Sequence, residues 1–92
     1  MVCAVRTWEL HLEGCASLKD KRGRLKPLVV ALRRGNLSVA EPGHQDLWQR
    51  AEVSCAALGS DRAIVEGELR AADRLIEEAD GVRIIDVVTA FR

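Results

Sequence analysis

Ser38-Val39-Ala40-Glu41-Pro42-Gly43-His44-Gln45-Asp46-Leu47-Trp48-Gln49-Arg50-Ala51-Glu52-Val53 reads as two short alternating strands about a polar turn. Alternation of apolar and polar residues is the signature of a strand with one buried face. Pro42-Gly43 marks the turn, because proline presets φ and glycine accepts positive φ without a steric penalty. The stretch is therefore a β-hairpin with a long loop, its strands at about 36–41 and 48–58. In the second strand Ala51, Val53, Cys55 and Ala57 should face the core, and Arg50, Glu52, Ser54 and Ala56 should face away.

Outward from the hairpin, residues 2–12 form a first strand, with Val2, Ala4, Trp8, Leu10 and Leu12 on the core face. Arg6 falls on that face too and is expected to snorkel its charged head past the sheet edge. Ser17 with Asp20 has the spacing of a capping box and opens a helix that runs to about Arg34. Its apolar stripe is Leu18, Leu25, Leu28, Val29 and Leu32. Pro27 should kink this helix without breaking it, and Gly35 should end it as the C′ residue. Beyond the hairpin, Gly59-Ser60-Asp61 caps a second helix, 61–79, with the stripe Val65, Leu69, Ala72, Ile76 and Ala79. Asp80-Gly81 stops it, and a last strand, 82–91, is expected to bury Ile85, Val87 and Phe91.

The order βαββαβ has a favoured solution. Two right-handed crossovers interleave into one antiparallel sheet of order 4-1-3-2 with both helices on one face. The expected fold is an α+β, ferredoxin-like two-layer sandwich, in one domain spanning 1–92.

Several pieces also carry a resemblance. Ser38-Val39-Ala40-Glu41 and the run from Gly43 to Glu52, with Glu9-Leu10-His11-Leu12 and Ser17-Leu18-Lys19-Asp20-Lys21-Arg22, closely resemble the YlxP-like family of small bacterial proteins of unknown function. The resemblance covers essentially the whole chain, and the hairpin is its most specific part. Arg6, Pro27 and Gly35 depart from the family pattern. The resemblance implies a ferredoxin-like fold. It also implies a gene neighbourhood of translation initiation and ribosome maturation factors, which suggests association with RNA or the ribosome.

Composition narrows the classes. A chain of 92 residues, 48% of them hydrophobic, can bury one two-layer core but no deep substrate cleft beside it. No run approaches the ~20 apolar residues of a membrane span. Met1-Val2-Cys3-Ala4-Val5-Arg6 lacks the basic and apolar regions of a secretory signal, so the expected compartment is the cytoplasm. Cys3, Cys15 and Cys55 are widely spaced, with no Cys-x-x-Cys pair. They are expected to be reduced thiols, and neither a disulfide framework nor a metal site is indicated. No cofactor motif is present either.

Net charge is zero, but its distribution is uneven. Between Leu18 and Arg34 lie Lys19, Lys21, Arg22, Arg24, Lys26, Arg33 and Arg34, opposed by Asp20 alone. The second helix is acidic. At about 100° per residue, Lys19, Arg22, Lys26 and Arg33 fall within an arc of about 60°. Such a ridge could meet a run of phosphates, and its bland reading is a solvated helix face. Ribosomal or structured RNA is thus the leading partner. A protein partner without nucleic-acid binding is the alternative.

The hairpin offers a second constellation. Glu41, His44, Asp46 and Arg50 could form a partner-binding surface. As a catalytic set, His44 would be the base, Asp46 its orienting partner and Glu41 a second acid. No nucleophile, cofactor site or phosphate loop completes that set, which weighs against an enzyme. As structural elements, Asp46 would accept backbone N–H groups, Trp48 would plug the layer edge, and Arg50 would pair with Glu52 or Glu9. Other functions of this fold lack their residues. The first loop has no paired thiols for a soft metal and no glycine-rich phosphate cradle, and the open face has no aromatic of the RNA-recognition-motif kind.

The sheet face away from the helices is half apolar. It is expected to show Val5, Glu9, His11, Glu52, Ala56, Leu58, Ile84 and Val88, with Cys3 and Ala90. With strands one and three taken as parallel and strand four antiparallel to both, Val5, Ala56 and Val88 form one contiguous patch. Exposed patches of this kind mark interaction sites, so a homodimer packed sheet to sheet is expected.

Overall fold

The computed structural model describes residues 1–44 and 46–92, so Gln45 of the hairpin motif lies outside the described residues. The chain forms β1 (Val2–Leu12), α1 (Leu18–Arg33), β2 (Leu37–Gly43), β3 (Arg50–Gly59), α2 (Arg62–Glu78) and β4 (Val82–Phe91). The sheet order is β2-β3-β1-β4, which is the expected α+β, ferredoxin-like arrangement. Each neighbouring pair is antiparallel. The expectation that β1 and β3 run parallel is therefore corrected. A strand wedged between its two antiparallel neighbours alternates direction with each, so β1 runs parallel to β2, across β3.

Both helices cover one face. Trp8, Leu10, Leu12, Val53 and Cys55 from the sheet pack with Leu25, Leu28 and Leu32 of α1 and Ala72 and Ile76 of α2. A smaller cluster of Ala4, Ala57, Val65 and Leu69 continues the core toward the other end. Alternation alone placed these strand residues, because successive side chains point to opposite faces.

Three local expectations change. In β4, Glu9 pairs with Asp86 but Leu10 pairs with Ile84, so Ile85 is an extra residue in the ladder. A bulge of this kind shifts the alternation by one. Val82 and Ile84 therefore pack on the core, not Ile85, and Ile84 leaves the open face to which it had been assigned. Ile85 and Val87 are exposed, while Phe91 is half-buried against the smaller cluster. In α1, Leu18 is exposed, and Lys21 takes a buried place on the stripe. Gly35 follows the C-cap Arg34 as the expected C′ residue, but without the left-handed conformation. The helix instead ends in tight turns from Arg34 N to Ala31 O (3.2 Å) and Gly35 N to Leu32 O (3.3 Å).

Arg6 does not snorkel. Its Nη1 meets Asp73 Oδ2 at 2.6 Å and its Nε donates to Thr89 Oγ1 at 2.9 Å, under α2. Asp73 Oδ1 also accepts the indole N–H of buried Trp8 at 2.8 Å. One carboxylate thus satisfies two donors that the core face would otherwise strand. α1 continues through Pro27 as a single element. Its N-cap forms half of the expected box: Ser17 Oγ accepts from Asp20 N at 3.0 Å, but Asp20 Oδ2 accepts from Ala16 N at 3.1 Å, one residue before the cap.

Candidate functional site

The hairpin loop closes the end of the sheet where β1 finishes and β3 begins. Leu12 N donates to Gln49 O at 2.8 Å, tying the loop to β1. His44 holds a positive φ of 58°, a conformation that costs a non-glycine residue about a kcal/mol. Its carbonyl accepts from Leu47 N at 3.2 Å, which tightens the turn.

From the helix layer, Lys21 reaches under this turn. Its Nζ donates to the carbonyls of His44 and, at 2.8 Å, Leu47. Burial pushes the Lys21 ammonium below its ordinary value, and the nearby charges of Glu41, Asp46 and Cys15 oppose that shift. A lysine is rarely buried unless paired. Here the pairing is to two backbone oxygens of the turn, of which His44 O also accepts from Leu47 N. The sequence signal was present, since Leu18, Lys21, Leu25, Leu28 and Leu32 share one helical spacing. A lysine on an apolar stripe requires a buried acceptor.

On the open sheet face, Glu9 is the hub. Its Oε1 lies 2.7 Å from His44 Nε2 and 2.7 Å from Arg50 Nη2. The Arg50 hydrogen bond, then that of His44, holds the Glu9 carboxyl below the usual carboxylate range. His44 is thus paired with Glu9, whereas the catalytic set weighed from the sequence would have paired it with Asp46. Periodicity put Glu9 on this face, but only the loop's path brings His44 to it.

The remaining hairpin residues behave differently. Asp46 and Glu41 are exposed, and their charges act on Lys21. Trp48 does not plug the layer edge. It is 52% exposed beside Leu47 at 48%. Among the described residues, Arg50 Nε is a shielded donor without a partner.

The basic ridge is split by its surroundings. Arg22, Lys26 and Arg33 line a groove between α1 and the edge strand β2, together with Val29, Val30 and Glu41. Lys19 lines the groove between α1 and α2. Among the described residues these four cations form no ion pair. Arg24, by contrast, is committed: its Nη1 donates to Glu13 O and Gly81 O, each at 2.9 Å.

Val5 lies opposite Ala56, and Val88 lies opposite Thr7, one pair further along. Thr7 Oγ1 and Ser54 Oγ share a hydrogen bond of 2.7 Å between these apolar positions and Glu9. Cys3, Cys15 and Cys55 are free thiols, and burial raises that of Cys55 to about 11. Among the described residues no group of His, Cys, Asp and Glu is arranged to hold a metal, and no helix is long and apolar enough to cross a membrane.

With this geometry in place, comparison with known proteins decides the family. The family described as "Protein of unknown function (DUF503)" matches residues 3–89. The chain belongs to the DUF503 family. It is 42% identical over 63 residues to "Uncharacterized protein YlxP" of Bacillus subtilis (strain 168), covering 67% of this chain and 68% of that protein. The match agrees with the resemblance carried by the hairpin. DUF503 membership leaves the chemistry of the loop and of the basic ridge to be argued from the residues themselves.

Proposed function

We propose that the protein is a non-enzymatic binder of structured RNA, ribosomal RNA included, which holds phosphates on α1. The observation that supports this is the contrast among the cations of α1. Lys21 and Arg24 are held by backbone carbonyls. Lys19, Arg22, Lys26 and Arg33 are all exposed on one helix without ion pairs among the described residues. Unrelieved repulsion on a helix face costs stability, and a polyanion removes that cost. Such a role belongs in the cytoplasm.

Four phosphate contacts give a slope of about −3 in log affinity against log salt. Lys19→Glu with Arg22→Glu should weaken binding and flatten that slope by about 2. Equal binding by the double variant at moderate salt would defeat the proposal.

A second reading rests on a different surface. Leu58 is 52% and Val88 61% exposed on the open face, beside Val5, Ala56 and Ala90. A homodimer packed about this patch would bury them near a two-fold axis. Val88→Lys should then give a folded monomer by sedimentation, and a wild type that is already monomeric at working concentration removes this reading.

A further inference from the structure

The two edges of the sheet are finished differently. The β2 edge is seven residues long, carries Glu41 and Pro42, and loses its register between Ala40 and Gly43. Proline, charge and irregularity are the usual means of keeping an edge strand from pairing. β4, at the opposite edge, runs for ten residues without proline or lysine, and Val87 and Val88 are exposed on it. Its irregular part ends at Ile85. From Asp86 to Phe91 every residue faces β1 in unbroken register, and Arg92 N extends the ladder to Cys3 O at 2.7 Å.

The direction of the free backbone groups follows. Along an antiparallel strand, the N–H and C=O of alternate residues point to opposite sides. Arg92 N points to β1, so the groups of Val87, Thr89 and Phe91 point outward. The Val87 N–H agrees with this, since it donates to the side chain of Asp86, at Oδ1 and 2.9 Å. Among the described residues no strand lies beyond β4 to take up this edge.

We propose that β4 pairs edge to edge with β4 of a second copy, antiparallel about a two-fold axis at Thr89, to form one sheet across both copies. Asp86-Val87-Val88-Thr89-Ala90-Phe91-Arg92 is complementary to itself in this register. Asp86 meets Arg92 of the partner subunit at both ends of the seam. Val87 meets Phe91 of the partner subunit on the helix side, where Val87 lies opposite buried Trp8. Val88 meets Ala90 of the partner subunit on the open face, and Thr89 meets its own symmetry mate. Opposite charges, aromatic against β-branched residues, and threonine against threonine are the favourable cross-strand pairs. The residues with outward backbone groups also face one another in this register, so they form the hydrogen-bonded pairs. Neighbouring registers lose the charge match: an axis at Val87 or Val88 sets Asp86 against Val88 or Ala90. In a single copy Asp86 guards the Val87 N–H; on pairing, a partner carbonyl takes that donor and frees the carboxylate for Arg92. The contact is separate from both readings above. It lies at the edge away from β2 and leaves the open face and the basic groove uncovered.

The experiment uses the full chain. One strand edge buries less than the about 800 Å² per partner of a stable complex, so the dimer is expected to be reversible and to grow in with concentration. Sedimentation velocity up to millimolar protein reads it. Asp86→Arg or Arg92→Asp turns both opposite-charge pairs into like-charge pairs and should weaken self-association by about tenfold to a hundredfold. An equimolar mixture of the two variants restores both pairs and should dimerise again. Thr89 faces the helix layer, where its Oγ1 accepts from Arg6 Nε at 2.9 Å, so a dimer packed through the open face cannot bridge it. Thr89→Cys in a Cys3→Ser background should therefore give a covalent dimer with oxidised glutathione, because Cα atoms of a hydrogen-bonded pair stand about 5.5 Å apart, within disulfide reach. Circular dichroism confirms that each variant is folded. A wild type monomeric at millimolar concentration, with no bridge at position 89, would overturn the proposal. So would a wild-type dimer that persists in both charge variants without that bridge, which would favour the open-face contact, and so would single variants that stay monomeric when mixed.

Discussion

Replacing Lys21 by methionine tests the brace beneath the hairpin. The change keeps the length and apolar bulk of the stem but removes both hydrogen bonds to the carbonyls of His44 and Leu47. Bonds from a charged donor are worth about 1.5–3 kcal/mol each, so the gross loss is about 3–6 kcal/mol. Two effects reduce it. His44 O keeps its bond from Leu47 N, and the cost of burying the ammonium disappears with the charge. A net loss of about 2 kcal/mol is expected, which for a domain of this size lowers Tm by about 8–16 °C. Urea unfolding should show a lower midpoint with an unchanged m-value. The emission anisotropy of Trp48 should fall as its loop loosens, while that of Trp8 should not. The pH dependence has a definite sign. The folded protein holds the Lys21 proton less tightly than the unfolded chain, whose value is near 10.5. Wild-type stability therefore gains as pH rises from the depressed folded value toward 10.5, and Lys21→Met lacks that gain. A methionine variant as stable as the wild type, with Trp48 equally ordered, would refute the brace.

Asp73→Ala should cost about 3 kcal/mol, because it leaves the Trp8 indole N–H and the Arg6 guanidinium facing the core without their acceptor; calorimetry checks it, and an unchanged Tm would show that water replaces the carboxylate. Gly81→Ala should destabilise by more than 1 kcal/mol, since φ is +68° and the new Cβ would stand 2.3 Å from Arg24 Nη1; a variant with wild-type stability in urea would refute this. Glu9 has a folded pKa below its unfolded value of about 4.5, so its stabilising contribution is full above that pH and lost as pH falls through the folded value. Glu9→Gln should remove this part of the acid limb, and superimposable acid-unfolding curves for the two proteins would rule it out.

Local chemistry and periodicity were enough for the elements, the faces of β1 and β3, the caps at Ser17 and Asp61, and the sheet order. These depend on interactions within a few residues, or on the handedness that every L-chain shares. They also gave the residues of the basic ridge and of the hairpin cluster, though not which of them meet. Tertiary structure decided the rest. The bulge at Ile85 exchanged the inward residues of β4, because the alternation of a strand can slip by one wherever its partner allows it. The loop's path took His44 to Glu9 instead of to Asp46, two residues away. Lys21 and Arg6 found acceptors on segments far along the chain, so residues that looked like a free cation and a misfit became structural ties. Trp48, read as a structural plug of the layer edge, is left in solvent by the packed sheet and the held loop. A side chain's own spacing reports the face it occupies, whereas its partner is set by register and loop closure across the whole fold.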